Sequence, residues 1–181
     1  ELIEGPALKV LVKYYKEHGH TISEKTEMIM SNFLENGRFQ IGGKGKAMVI
    51  ADSRANAIRY YFAIKEYLKN NPDKSEGCGV LVAFSGTVKV DDVEYTEAGL
   101  NVDENGQAIT SDKKFRKAFR GDKFNILVVA NKYQTGFDEP LLHSMYVDKK
   151  LSGIAAVQTL SRLNRICPPY NKQTFIKCFP I

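Results

Sequence analysis

Short apolar runs alternate along the chain with segments whose apolar residues recur at helical spacing. An uninterrupted apolar run is typical of a strand buried on both faces, whereas apolar positions three and four residues apart are typical of an amphipathic helix. The runs predict strands at residues 47–51, 80–84, 126–130 and 145–147, and a last strand is predicted at 174–179.

Helices are predicted between these strands and ahead of the first one. Ser23 and Ser53 can begin two of them, because a serine hydroxyl accepts a hydrogen bond from a free amide of the first helical turn. Gly19 and Gly37 are suited to end the helices before them. A last helix is predicted over residues 153–165. The other predicted helices carry the apolar sets Leu8, Leu11, Val12 and Tyr15; Ile29, Met30, Phe33 and Leu34; Ala57, Tyr61, Ile64 and Leu68; and Phe115, Ala118 and Phe119.

This alternation predicts an α/β fold with three layers, in which a mostly parallel sheet is covered by helices on both faces. Residues 46–181 are interpreted as the main domain, and residues 1–45 as a helical linker or extension at its side or edge. Residues 86–110 show no strong period. A segment of that length predicts a functional or mobile loop.

Composition adds few constraints. The chain has 181 residues, 43% of them hydrophobic, and a formal net charge of +5, which permits a polyanionic partner without requiring one. No apolar run is long enough to span a membrane, and we expect no signal peptide. Cys78, Cys167 and Cys178 are widely separated, which argues against a disulfide framework or a metal site and predicts a cytoplasmic protein.

Residues 158–165 hold the most informative group of polar side chains. At roughly 100° per residue, a helix places Gln158, Arg162 and Arg165 on one face, opposite an apolar stripe. Two neighbouring guanidinium groups repel each other unless an anion lies between them, and their planar forks match phosphate oxygens. An ordinary solvated basic face is the alternative interpretation.

Polar turns also follow the predicted strands. Ser53 and Arg54 follow the first strand, Ser85 the second, and Gly136 and Asp138 the third. Because ligands bind at the carboxyl ends of parallel strands, we expect these turns to converge at one edge of the sheet. Helix capping and plain turns are the alternative interpretation for each of them.

Residues 46–176 resemble the second RecA-like domain of superfamily 2 helicases. They are most similar to the motor part of the R (restriction) subunit of type I restriction endonucleases. Residues 135–149 are similar to motif V of that family and the strand after it, 158–165 to its motif VI and 46–54 to its motif IV. Ser161 stands where the superfamily usually has glycine, which agrees with the R-subunit variant.

The resemblance implies a shared nucleotide site. Arg162 and Arg165 would reach the γ-phosphate of ATP, with Arg165 as the arginine finger. Gln158, Gly136 and Asp138 would lie beside the nucleotide. ATP and Mg²⁺ would be bound jointly with a first motor domain.

The resemblance also implies nucleic-acid contacts and a larger assembly. Ser53, Arg54, Ser85 and Thr135 would lie near the phosphates of double-stranded DNA. The expected partners are the first RecA-like domain and the nuclease domain of the same subunit, with separate methyltransferase and specificity subunits.

Half of an ATP site is missing from the sequence. The phosphate-binding pattern G-x-x-x-x-G-K-[ST] does not occur, because no serine or threonine follows Lys44 in its glycine-rich run. No acidic magnesium-binding box is seen either. We therefore expect a fragment, or one piece of a larger polypeptide, that hydrolyses no ATP alone.

Three alternatives remain open at this stage. Asn131 and Lys132 resemble part of a guanine-binding motif, but Gln134 replaces its aspartate. The chain could also be the second motor domain of another superfamily 2 DNA or RNA helicase. Finally, it could be a non-enzymatic α/β interaction module in which Arg162 and Arg165 pair with carboxylates.

Overall fold

A five-stranded parallel sheet forms the centre of the protein in a computed structural model, which describes residues 19–103, 105–133, 137–170 and 172–179. The predicted helix around Leu8 to Tyr15 lies outside the described residues. The sheet consists of β1 (Lys46–Ala51), β2 (Val80–Ala83), β5 (Ile126–Val129), β6 (Leu142–Asp148) and β7 (Phe175–Cys178), in the order β2-β5-β1-β6-β7. A separate hairpin is formed by β3 (Thr87–Val90) and β4 (Val93–Thr96).

Four longer helices and several short helical segments complete the described structure. The longer ones are α1 (Gly19–Glu35), α2 (Arg54–Asn70), α3 (Asp112–Arg120) and α4 (Gly153–Leu160). The short segments are Gly37–Phe39, Gln40–Gly43, Pro72–Ser75, Glu97–Leu100 and Ser161–Asn164.

Two apolar cores cover the two faces of the sheet and confirm the predicted three-layer α/β arrangement. Phe33 of α1 and Tyr60 of α2 pack on one face in a cluster with Val49. Phe115 of α3 packs on the other face in a cluster with Met48. Residues of β1 alternate between the two clusters because successive side chains of a strand point to opposite faces.

Of the two serines predicted to begin a helix, only one acts as a cap. Ser53 precedes α2, and its Oγ accepts a hydrogen bond from Asn56 N at 3.1 Å, as predicted. The predicted start at Ser23 is wrong, because Ser23 lies exposed inside α1. In a sequence, a serine within an amphipathic helix resembles a cap until the preceding turn is known to be helical.

The described part of residues 86–110 contains a β-hairpin and a short helix that the sequence pattern did not predict, and a functional role for this segment stays a prediction. β3 and β4 pair antiparallel, and Val88 and Val90 are buried against the α1–α2 core. The turn between the strands uses left-handed backbone at Asp91 and Asp92, with φ of 48° and 65°. Two aspartates lack the glycine that normally marks such a turn, so the sequence pattern did not reveal the hairpin.

The side chains of Asn101 and Glu97 form hydrogen bonds with the unpaired edge of β2. The amide of Asn101 accepts from Val82 N at 2.9 Å and donates to Val82 O at 2.7 Å. Glu97 Oε2 accepts from Phe84 N at 2.9 Å. These contacts satisfy backbone groups that an edge strand otherwise leaves unpaired.

The predicted helix over residues 153–165 is shorter than expected. α4 ends at Leu160, the next turn is a 3₁₀ helix, and Arg165 is extended, with φ −79° and ψ 130°. Ser161 Oγ donates to Gln158 O at 3.0 Å. Such a side-chain hydrogen bond to the preceding turn competes with continued α-helix, which accounts for the early end.

Within the described part of the chain, no helix has the length and apolar character needed to cross a membrane.

Candidate functional site

The turns after β1 and β2 meet at the carboxyl edge of the sheet. Arg54 Nη1 donates to Ser85 O at 2.8 Å, and both side chains are exposed. Gly86 has a φ of +75°, and a Cβ added there would lie 3.4 Å from Arg54 Nη1. The backbone of this turn therefore curves around the guanidinium group, as the convergence of polar turns predicts.

Ser53 has a structural role at this edge. Its hydroxyl caps α2, and Asn56 Nδ2 donates to Asp52 Oδ1 at 2.8 Å. Capping alone accounts for a serine at this position. A contact between Ser53 and a nucleic-acid phosphate stays a prediction.

Two lysines lie at the same edge, Lys132 after β5 and Lys149 after β6. Lys132 Nζ lies 2.7 Å from Glu97 Oε1, and Lys149 Nζ donates to Asn131 Oδ1 at 3.0 Å. Asn131 and Tyr133 both have left-handed backbone, with φ of 58° and 60°. Strained backbone of this kind persists where surrounding contacts hold it, and it is common at functional sites.

Asp138 lies at the opposite end of the sheet, so the prediction that its turn joins the others is wrong. Leu141 O accepts from the backbone N of Lys46, the first residue of β1, at 2.9 Å. Residues 137–141 therefore lie at the amino ends of β1 and β6. The physical reason is that β5 and β6 run in the same direction, so the connection must return along the full length of the sheet.

Both arginines of the motif VI-like segment contact this amino-end turn. Arg165 Nε lies 3.1 Å from Asp138 Oδ1, and the side chains of the pair are 48% and 62% exposed. Arg162 Nη1 lies 3.5 Å from Phe137 O. Arg162 Nε is buried and has no hydrogen-bond partner among the described residues. The structure thus brings both guanidinium groups to two adjacent residues, although Arg165 lies beyond the helix that was predicted to align them.

Arg120, Glu139 and Lys172 surround this pair and were not identified from the sequence. Arg120 Nη2 donates to Asp138 O at 3.1 Å, and its Nε lies 3.3 Å from Glu139 Oε2. Lys172 Nζ donates to Arg165 O at 3.1 Å. Glu139 directly follows Asp138 in the sequence, and this adjacency could have identified it. No local sequence signal connects Arg120 or Lys172 with Arg165.

A cavity of about 330 Å³ opens beside Arg165. Arg165, Lys172, Tyr170 and Cys167 contribute to its walls. Burial lowers the pKa of Lys172. The two basic side chains make the cavity suitable for an anionic group.

The remaining predicted site residues are less informative. Gln158 is exposed on α4. Thr135 and Gly136 lie outside the described residues, between Tyr133 and Phe137, whose ring centroids are 4.9 Å apart. Over the described ranges, no group of three histidine, cysteine or acidic side chains could hold a metal ion.

The parallel sheet and its two helical layers define a three-layer α/β domain in which two arginines meet at one turn. Residues 101–180 match the family model for type I restriction enzyme subunit R, domain 3. The chain belongs to the family of type I restriction enzyme R subunits.

Curated relatives and a solved structure are similar to the chain. It is 31% identical over 137 residues to the putative MjaVIIP endonuclease subunit of Methanocaldococcus jannaschii, covering 73% of this chain and 12% of the relative. It is 30% identical over 161 residues to the putative MjaVIIIP endonuclease subunit of the same organism, covering 84% of this chain and 15% of the relative. The Pyrococcus furiosus Hef helicase domain is similar over 97% of this chain and 30% of that chain, with 15% identity and a TM-score of 0.47. The chain thus spans a small part of the length of these curated relatives.

Proposed function

We propose that the chain is the second motor domain of an ATP-dependent DNA translocase in the R subunit of a cytoplasmic type I restriction endonuclease. The observation that carries this proposal is the meeting of Arg162 and Arg165 at residues 137–138. One guanidinium group has a buried nitrogen without a partner in the described structure, and the other is half exposed. This pair fits a phosphate group that arrives from outside the domain.

The contacts of Arg165 allow it to exchange partners. An ion pair between two half-exposed side chains contributes little to stability, because water screens it and both side chains lose conformational freedom. A phosphate offers the same guanidinium group two oxygens in a planar, bidentate arrangement. We therefore infer that Asp138 holds Arg165 near its working position until a phosphate is present.

The proposed roles differ between the two arginines. Arg165 neutralises negative charge that develops on the phosphoryl group during transfer, and Arg162, which is half-buried, contributes mainly to nucleotide binding. ATP supplies the phosphoryl group. The phosphate loop and the Mg²⁺ ligands would come from a first motor domain.

The carboxyl edge is the proposed nucleic-acid surface. Arg54 is exposed and fixed by Ser85 O, so its remaining guanidinium donors can bind a DNA phosphate. Ser53, Ser85 and Thr135 are proposed to lie along the same strand of double-stranded DNA. The nuclease domain of the same subunit and separate methyltransferase and specificity subunits are the proposed protein partners.

A non-enzymatic interaction module is the second candidate, and the ion pair between Arg165 and Asp138 favours it. In that case the arginine only stabilises the turn. The two candidates differ in what the loss of Arg165 does to ATP hydrolysis.

Steady-state ATP hydrolysis by the intact subunit with DNA tests the proposal. We expect Arg165→Ala to lower the rate on the order of 10³-fold, because an arginine finger stabilises charge in the transition state. Arg165→Lys should restore little, since one ammonium group cannot reproduce the planar fork. Lys117→Ala, which removes an exposed positive charge from α3, is the matched control. An Arg165→Ala subunit that hydrolyses ATP at the parent rate would show that the assignment is wrong.

A further inference from the structure

A buried carboxylate holds the turn that contacts the two arginines. Glu139 is 3% exposed, and its Oε1 accepts a hydrogen bond from Leu141 N at 3.2 Å. Its backbone oxygen accepts from Leu142 N at 3.1 Å. Both contacts fix the turn directly ahead of β6.

Arg120 connects this turn to α3. The guanidinium group lies 3.3 Å from the Glu139 carboxylate through Nε and donates to Asp138 O at 3.1 Å through Nη2. Arg120 is the last residue of α3, and the preceding residue, Phe119, is fully buried with its ring 5.8 Å from that of Phe137. A side chain that starts from a fixed helix end and forms two contacts restricts the turn more than a contact from a loop would.

Arg120 forms the ion pair of the Glu139 carboxylate, whose charge also acts on Lys46 and Lys172 at longer range. A buried charge is costly unless it is paired, so removal of Arg120 takes away the charge nearest to Glu139 and favours rearrangement of the turn. Asp138 is part of the same turn, and its carboxylate is the ion-pair partner of Arg165. A shift of the turn therefore moves the group that holds Arg165.

We propose that Arg120 and Glu139 are positioning residues for Arg165. They fix the turn at residues 137–141, and the turn places Asp138 so that Arg165 is held where an incoming phosphate can reach it. This inference rests on the proposed function, because it assumes that Arg165 acts in ATP hydrolysis. Neither residue contacts the phosphate itself.

The test combines Arg120→Ala with Arg165→Ala in the intact subunit. We expect Arg120→Ala to lower kcat for ATP hydrolysis roughly 10- to 100-fold, with KM for ATP changed little, because a small misplacement of a reacting group has effects of this size. Lys117→Ala on the same helix should leave kcat unchanged. Glu139→Gln, which keeps the shape of the side chain and removes its charge, should lower kcat in the same direction as Arg120→Ala.

The double variant distinguishes positioning from general stability. If Arg120 acts through Arg165, Arg120→Ala should cause no further loss of kcat in a subunit that already carries Arg165→Ala. The proposal would be overturned if the two losses of kcat multiplied in the double variant, or if Arg120→Ala alone left kcat unchanged. If Arg120→Ala does not fold, Arg120→Lys provides the same comparison, since it keeps the charge and can make only one of the two contacts. An unchanged rate in Arg165→Ala itself would reject the proposed function, and the positioning role with it.

Discussion

Arg165 and Asp138 form an ion pair of 3.1 Å between residues that are far apart in the sequence and half exposed in the structure. The pair lies at the amino ends of β1 and β6, whereas Arg54 and Ser85 meet at the carboxyl ends of the strands. The proposed nucleotide contacts of Arg165 and the proposed nucleic-acid contacts of Arg54 are therefore at opposite ends of one sheet. Variants at each end can be tested separately.

Loss of Arg165 should change stability little. We expect Arg165→Ala to change the free energy of unfolding by less than about 1 kcal/mol, because exposed ion pairs contribute little. Asp138→Asn should behave similarly. Thermal melting of the variants checks this, and a large drop in Tm for Arg165→Ala would show that the arginine is structural.

Loss of Arg54 should weaken nucleic-acid binding at low salt. Each phosphate contact contributes about 0.9 to the slope of log binding constant against log salt for duplex DNA, so Arg54→Ala should reduce that slope by about this amount. Lys69→Ala removes the same charge from the other end of α2 and is the matched control. Titration of a labelled duplex at several salt concentrations measures both slopes. Equal slopes for the parent and Arg54→Ala would contradict the contact.

Asn101 should be important for stability. It is 1% exposed and satisfies both backbone groups of Val82 at the edge of the sheet. Asn101→Ala leaves those groups unpaired, at a cost of about 2–4 kcal/mol for the two together. Denaturant unfolding measures the loss, and exposed Asn105→Ala should have almost no effect.

His143 should make stability depend on pH. Burial, followed by the positive charge of Lys172, lowers the pKa of His143 below its usual value of 6.5. As the pH falls, His143 is therefore protonated at a higher pH in the unfolded chain than in the folded one. Its contribution to stability is complete above pH 6.5 and is lost as the pH falls toward the lower, folded-state pKa. Melting temperatures between about pH 7.5 and 5 should fall more steeply for the parent than for His143→Gln. Parallel curves would show that His143 does not contribute.

The 181-residue chain alone should hydrolyse no ATP. The sequence lacks the phosphate-binding pattern, and an arginine finger only completes a site whose phosphates are already held. A steady-state ATPase assay with and without DNA checks this. Turnover by the purified chain would contradict the division of the site between two domains.

Local pattern was sufficient to predict most of the secondary structure. The apolar run from Ala47 to Ala51 had to be buried on both faces, and Ser53 after it could cap a helix, so β1 and α2 follow from neighbouring residues. The same alternation predicted the parallel sheet, whereas the phosphate contact inferred from the spacing of Arg162 and Arg165 stays a prediction.

Tertiary structure decided which polar groups meet. Asp138 lies at the amino end of the sheet because the connection between parallel strands must return, and its length and path are not encoded in local periodicity. Arg120 reaches Glu139, and Asn101 reaches Val82, because packing brings separate segments together. Sequence spacing determined which side chains share a helix or strand, whereas contacts between elements depended on how the apolar faces of those elements packed.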